Sequence, residues 1–162
     1  LLNRIDPQRN GAASTYRLCA LPISHRRDRK ALMTDLPVFS TILLERRARL
    51  LVVTFNRPDA MNAFNLEQHD ELPVALAFAR DDDASDVIML TGAGRAFSAG
   101  GDIAHIERSA AKPELFDHEV AMARAIITTL LGIEKPVVCR LNGHAVGLGA
   151  TIALFCDIIY AA

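Results

Sequence analysis

Short apolar runs alternate with longer, helically periodic stretches from residue 36 onward. Residues 38–45 and 50–55 are apolar and rich in β-formers, with Arg46-Arg47-Ala48-Arg49 between them, which predicts a hairpin. Asn56-Arg57-Pro58-Asp59 breaks the second run. After Asn65, a natural N-cap, Leu66, Leu72, Leu76 and Ala79 mark a helical face that ends at Arg80-Asp81-Asp82-Asp83. Pro73 inside that stretch predicts a kink. Val87-Ile88-Met89-Leu90, bounded by Asp86 and Gly92, reads as a strand buried on both faces. Residues 92–101 form a loop holding four glycines. Residues 113–133 suit a helix, with Val120, Ala123, Ile127, Leu130 and Leu131 on its apolar side and Gly132 to Pro136 ending it. Residues 137–141 read as a second buried strand and residues 147–155 as a short helix of small residues. Asp157-Ile158-Ile159-Tyr160 opens a third strand. Strand, crossover helix, strand is the pattern of an α/β fold. The third strand reaches the last residue without a cap or polar tail, so the sequence reads as cut there.

Composition adds little to this and excludes several classes. The 162 residues are about half apolar, with a net charge of −1, which suggests neither a nucleic-acid nor a membrane partner. No stretch approaches the roughly 20 apolar residues that a membrane span needs. Charge is unevenly spread. Residues 1–32 carry six Arg and one Lys against two Asp, while residues 33–162 carry 11 basic and 17 acidic side chains. The first segment is not periodic. It reads as a transit peptide, as a disordered basic arm, or as non-native upstream sequence translated by mistake, which is the expectation favoured here. The expected organisation is an unstructured or non-native extension over residues 1–32 and a domain over residues 33–162. Cys19, Cys139 and Cys156 are too few and too scattered for a disulfide framework or zinc site. The latter two fall in apolar runs and read as buried, reduced thiols. That fits a cytoplasmic location, or a mitochondrial one if the basic segment is a transit peptide.

Two glycine-rich turns carry the candidate chemistry: Phe97-Ser98-Ala99-Gly100-Gly101-Asp102, and Gly143-His144-Ala145-Val146-Gly147-Leu148-Gly149. Neither fits a dinucleotide fingerprint. After Gly92 and Gly94 the third small residue would fall at 97, where Phe97 stands. The turn at Gly147 begins six residues after its strand, too late for the tight nucleotide-binding turn. Glycine-rich loops at the ends of adjacent parallel strands can instead aim one backbone N–H each at a single oxygen, and a helix opening at Leu148-Gly149 adds unpaired amides and its positive end. That is an oxyanion pocket made of backbone.

In order along the chain come Asn56-Arg57-Pro58-Asp59-Ala60-Met61-Asn62-Ala63-Phe64, then Phe97 to Ile103, then Lys135-Pro136-Val137 leading to Asn142 to Gly149, then Cys156-Asp157-Ile158. This series resembles the enoyl-CoA hydratase/isomerase (crotonase) superfamily over residues 36–162. The resemblance implies an α/β, crotonase-like spiral of ββα units, truncated before its C-terminal part. It implies an acyl-CoA substrate, with coenzyme A entering as part of that substrate and no separate cofactor or metal. The thioester oxygen would be held by the N–H groups of Gly101 and Leu148. The coenzyme would lie across Ala60, Met61 and Ala63 and across Ala99, Gly100, Gly101, Asp102 and Ile103, with Leu148 closing the site. Some members carry a Lys or Arg near position 60 for the coenzyme phosphates. Here Asp59-Ala60 stands there, with Arg57 as the nearest substitute. Hydratases of the family use two glutamates; one falls on Thr151 and the other would lie past Ala162. The reaction implied first is water addition to a 2,3-enoyl-CoA. An isomerase, another lyase or hydrolase of the family, or a non-catalytic acyl-CoA binder are the alternatives. A homotrimer or hexamer is implied for a full-length member.

Other polar residues receive structural expectations. Asp102 is expected to hydrogen-bond backbone amides and cap a following helix. His105 is expected at the surface or behind the site, and His144 to pack beneath the second turn. Ser98 has no evident base.

Overall fold

The computed structural model describes residues 35–110 and 112–161; the expectations for residues 1–32, including Cys19, lie outside these. The first two strands, β1 (Ile42–Arg47) and β2 (Leu50–Phe55), form an antiparallel hairpin closed by Ala48 and Arg49. The sequence placed Arg46 and Arg47 in the turn and started the strand at residue 38. In fact both arginines continue β1, opposite Leu51 and Leu50. An edge strand tolerates them because each has a carboxylate partner: Arg46 reaches Asp82 at 2.9 Å and Arg47 reaches Glu45 at 2.8 Å.

Helix α1 (Leu66–Asp81) starts where the N-cap predicts, with Asn65 Oδ1 accepting from Gln68 N at 3.0 Å. Pro73 does not end it. An interior proline costs about 3 kcal/mol, but Leu72, Ala75, Leu76 and Ala79 are fully buried, and each leucine contributes about 2 kcal/mol by burial. Lys135 closes the C-terminal end, its Nζ donating to the carbonyls of Ala79 (2.8 Å) and Asp82 (2.7 Å).

The chain continues through β3 (Val87–Gly92), β4 (Ala96–Ser98), α2 (Ile103–Ala110), α3 (Pro113–Leu131), β5 (Val137–Leu141), β6 (His144–Ala145), α4 (Leu148–Leu154) and β7 (Ile158–Ala161). Five strands form one sheet in the order β1-β2-β3-β5-β7, parallel except for the hairpin. The apolar run of β3 lies at its centre, as a strand buried on both faces should. At the β7 edge Ile158, Ile159 and Tyr160 remain largely exposed. β4 and β6 form a separate parallel pair. The core centres on Phe55, whose ring meets Phe64 at 5.5 Å and Phe97 at 5.1 Å, both edge-on. Phe97, the residue that spoiled the dinucleotide pattern, is thus a core side chain.

Helices α1, α2 and α3 meet around His69, His105 and Glu119. His69 is buried with Nδ1 2.9 Å from the Asn65 carbonyl. Burial pushes its pKa below the ordinary histidine value, against the pull of that carbonyl and of Glu119. The folded chain therefore binds fewer protons here than the unfolded one. The resulting stability is complete above the unfolded value of about 6.5 and is lost as pH falls below it. The urea midpoint is expected to be lower at about pH 5.5 than at about pH 7.5. The difference should shrink in His69→Gln; an equal difference in both proteins would assign it to other groups.

Candidate functional site

The two glycine turns follow β3 and β5, adjacent parallel strands. Three segments distant in sequence are laced together there. Ala99 N donates to Met61 O (2.9 Å), Phe64 N to Gly100 O (2.7 Å) and Asp102 N to Phe64 O (2.9 Å). Val146 N donates to Ser98 O (2.9 Å), joining the second turn to the first. Gly100 and Gly147 face each other where the two turns meet. A Cβ on Gly100 would lie 3.0 Å from Val146 O, and one on Gly147 would lie 3.6 Å from Gly100 Cα. Both have positive φ, +87° and +54°, so both positions favour glycine for conformation, and Gly100 for space as well.

At this junction the N–H groups of Gly101 and Leu148 donate to no acceptor among the described residues. Gly101 is exposed and Leu148 opens α4, where the first amides of a helix lack internal partners. A pair of unspent donors, one from each turn, suits an oxygen that gains negative charge.

Polar side chains hold the backbone in this shape. Asn62 is buried and left-handed at φ +55°. Its Oδ1 accepts from Arg57 N (2.9 Å), and its Nδ2 donates to the carbonyls of Ala93 (2.9 Å) and Ala96 (2.8 Å). Asn142 Oδ1 accepts from Gly92 N (3.0 Å), and its Nδ2 donates to Gly94 O (3.0 Å). Ser98 Oγ donates to Asn62 O (2.8 Å) and accepts from Gly100 N (3.1 Å), so this hydroxyl is committed to the loop. The sequence reading did not single out either asparagine for this work. The available signal was Asn142 directly before the second glycine turn; Asn62 lies 35 residues ahead of the first turn and carries no local signal of this role.

Asp102 behaves as expected and gains a partner. Its carboxylate faces His105 N at 3.4 Å, its carbonyl accepts from His105 N and Ile106 N, and Arg57 Nη2 donates to Oδ2 at 3.1 Å. Burial opposes the carboxylate, but the Arg57 bond and the His105 amide outweigh it and hold its pKa below the usual aspartate value. Arg57 also donates to Ala63 O. It is bound within the fold, which corrects its reading as a substitute for a phosphate-binding cation.

The remaining expected residues divide by position. Met61 lies beside Ala99 through the backbone bond above, Ala63 falls between Met61 and Phe64, which are both tied to that loop, and Ala60 ends the 3-10 turn that leads to them. Ile103 projects from α2 and is 75% exposed. Thr151 lies one turn into α4, where its Oγ1 donates to Gly147 O at 3.2 Å, the local bond typical of a helical threonine. The sequence of α4 contains no acidic side chain. His105 is buried, with Nε2 2.5 Å from Glu119 Oε1, and so packs α2 on α3. His144 is exposed in β6, which corrects the expectation that it packs beneath the turn. A cavity of about 700 Å³ opens between the start of α1, α2 and the α2–α3 connection. Its charged lining is balanced (Glu67 and Asp70 against Arg108 and Lys112), and no residue of either glycine turn lines it.

Known proteins resemble the chain in sequence and in fold. The family described as enoyl-CoA hydratase/isomerase matches residues 45–162. A 1,2-epoxyphenylacetyl-CoA isomerase of Escherichia coli K12 is 37% identical over 115 residues, covering 70% of this chain and 44% of its own. A crotonyl-CoA hydratase of Syntrophomonas wolfei is 36% identical over 126 residues, covering 76% of this chain and 47% of its own. The crystal structure of an enoyl-CoA hydratase/isomerase from Mycobacterium paratuberculosis superposes with a TM-score of 0.73 at 34% identity, covering 79% of this chain and 51% of that one. The chain thus spans about half the length of the relatives it matches.

Proposed function

The chain belongs to the enoyl-CoA hydratase/isomerase family, and from that premise we propose that its two glycine turns hold the carbonyl oxygen of an acyl-CoA thioester between the N–H groups of Gly101 and Leu148. The observation that carries this reading is the pair of unspent donors where Gly100 meets Gly147. As a bond to the thioester α-carbon changes, its carbonyl oxygen takes on enolate charge. Donors fixed in place beforehand gain more from that charge than from the neutral carbonyl, which lowers the barrier. Ala60, Met61, Ala63 and the run Ala99 to Ile103 are the proposed surface for the coenzyme, with no metal or separate cofactor.

Water addition to a 2,3-enoyl-CoA is the reaction proposed first. A second reading is favoured by Thr151, which stands where a hydratase glutamate would fall and gives its hydroxyl to Gly147 O. An isomerase or other enolate-forming member of the family needs the same oxygen pocket without a carboxylate at that position. Thr151→Ala is expected to leave thioester affinity within about twofold and stability within about 1 kcal/mol, because one local hydroxyl bond is lost. A tenfold or greater fall in turnover at unchanged affinity would instead place that hydroxyl on the reacting water.

The test is to mix the full chain with crotonyl-CoA and follow the conjugated thioester absorbance, with calorimetry for binding. Loss of absorbance with a 3-hydroxyacyl product supports the hydratase. Binding without hydration overturns the hydratase and leaves the oxygen pocket standing. Failure to bind crotonyl-CoA, butyryl-CoA or a longer acyl-CoA overturns the pocket itself.

A further inference from the structure

One cation beside the proposed coenzyme surface is left unspent by the chemistry above. Arg95 is exposed in the loop between β3 and β4. Its only polar side-chain contact among the described residues is with Met61, whose Sδ lies 3.6 Å from Nη2. A thioether is a weak acceptor, so the five donors of the guanidinium are almost wholly available. No carboxylate pairs with Arg95 among the described residues, whereas Arg57 is spent on Asp102 and the Ala63 carbonyl. The backbone on both sides of Arg95 is pinned. Asn62 Nδ2 donates to the carbonyls of Ala93 (2.9 Å) and Ala96 (2.8 Å), and Asn142 Nδ2 donates to Gly94 O (3.0 Å). The loop is also seated on its neighbours. A Cβ on Gly94 would lie 3.1 Å from Pro58 Cβ, and one on Gly143 would lie 2.1 Å from the Arg95 carbonyl. Arg95 thus stands on a fixed base next to the turn that carries Ala60 and Met61.

We propose that Arg95 is the residue that binds a phosphate group of coenzyme A on this surface. The proposal rests on the reading of the two glycine turns as a thioester site. An arginine fork matches a phosphate with two parallel N–H bonds and carries its charge at every working pH. Met61 touches only Nη2, and its thioether gives way to a phosphate oxygen at little cost because the bond it accepts is weak. With the loop held by Asn62 and Asn142, only the rotamers of the arginine side chain remain to be ordered on binding. The contact lies on the coenzyme and not on the reacting carbons. It is therefore equally strong before and during reaction, and it sets affinity without adding to the oxygen pocket.

Calorimetry on the full chain compares butyryl-CoA with butyryl-pantetheine, which lacks every phosphate. Arg95→Gln should weaken butyryl-CoA by about tenfold, the worth of one charge-assisted contact at an exposed site. The same variant should bind butyryl-pantetheine within about twofold of the unsubstituted chain. Arg95→Glu should weaken butyryl-CoA further, by repulsion, and again leave the pantetheine thioester alone. Thermal unfolding checks that both variants fold, as an exposed side chain allows; if either does not, Arg95→Lys, which keeps the charge but not the fork, should show a smaller loss confined to butyryl-CoA. The advantage of the unsubstituted chain over Arg95→Gln should shrink with added salt. Dephosphorylated butyryl-CoA identifies the group. Equal binding of it by the unsubstituted chain and Arg95→Gln assigns the contact to the 3′-phosphate, and a persisting difference assigns it to the diphosphate; both support the proposal. Unchanged butyryl-CoA affinity in the variants would overturn it, and so would an equal loss for both thioesters, which would place the effect in the shape of the loop. Failure of the unsubstituted chain to bind either thioester would overturn the oxygen pocket and this proposal with it, an outcome distinct from the other two.

Discussion

Replacing Leu148 with proline is expected to lower kcat/KM for an enoyl-CoA by about 100- to 1000-fold while leaving the chain folded. The substitution removes one hydrogen-bond donor and trims a partly buried side chain that packs against the core, a loss that Leu148→Ala shares. Leu148 is the first residue of α4, where proline is well tolerated because that N–H has no partner within the helix. Its side chain is only partly buried. The proposed role of Leu148 lies in its peptide group, so Leu148→Ala should retain most activity. Loss of one such donor costs about 3–4 kcal/mol of transition-state stabilisation. Thermal unfolding should show both variants close to the parent. Equal activity in the proline variant would remove Leu148 from the pocket, and equal loss in both variants would point to packing.

Asn62→Ala should destabilise the chain by about 4 kcal/mol, the largest effect on stability expected of any single polar side chain here. The alanine strands Arg57 N and the carbonyls of Ala93 and Ala96, each now satisfied by Asn62. Every buried polar group left without a partner costs about 1–3 kcal/mol. Alanine also accepts the left-handed backbone at this position less readily than asparagine does. Asn62→Gly relieves the backbone but not the lost bonds, so it should recover only part of the loss. Urea unfolding measures both variants. A loss under about 1 kcal/mol for alanine would mean that water replaces the amide.

Elements that bury a face by themselves were legible in the sequence. Asn65 marked the start of α1, and the apolar runs placed β3 and β5 because such runs have no other stable setting in an α/β fold. β4 and β6 were not legible. Three residues and two residues carry no periodicity, and their pairing joins Ala96 to His144 across a long stretch of chain. The strand positions of Arg46 and Arg47 were hidden for another reason. Charge argues for a turn until the carboxylates of Asp82 and Glu45 are in view. Much the same holds for His105, whose burial is explained by Glu119 on the next helix. In the candidate site the glycines and the helix opening at Leu148 could be read directly, because their conformational demands are local. The supporting asparagines and the tie from Arg57 to Asp102 became apparent only with tertiary structure.

The lacing of three distant segments also bears on the speed of folding. Asn62 and Ser98 are 36 residues apart, and Gly92 and Asn142 are 50 apart. The entropy lost in closing such loops must be met before their short hydrogen bonds give anything back, and topologies of this kind fold slowly. The pairings of β2 with β3 and of β3 with β5 close loops just as long, so the glycine turns are expected to settle together with the sheet and not ahead of it. Thioester binding during refolding should follow the slowest phase, and it would be a more sensitive reporter of finished folding than helix content.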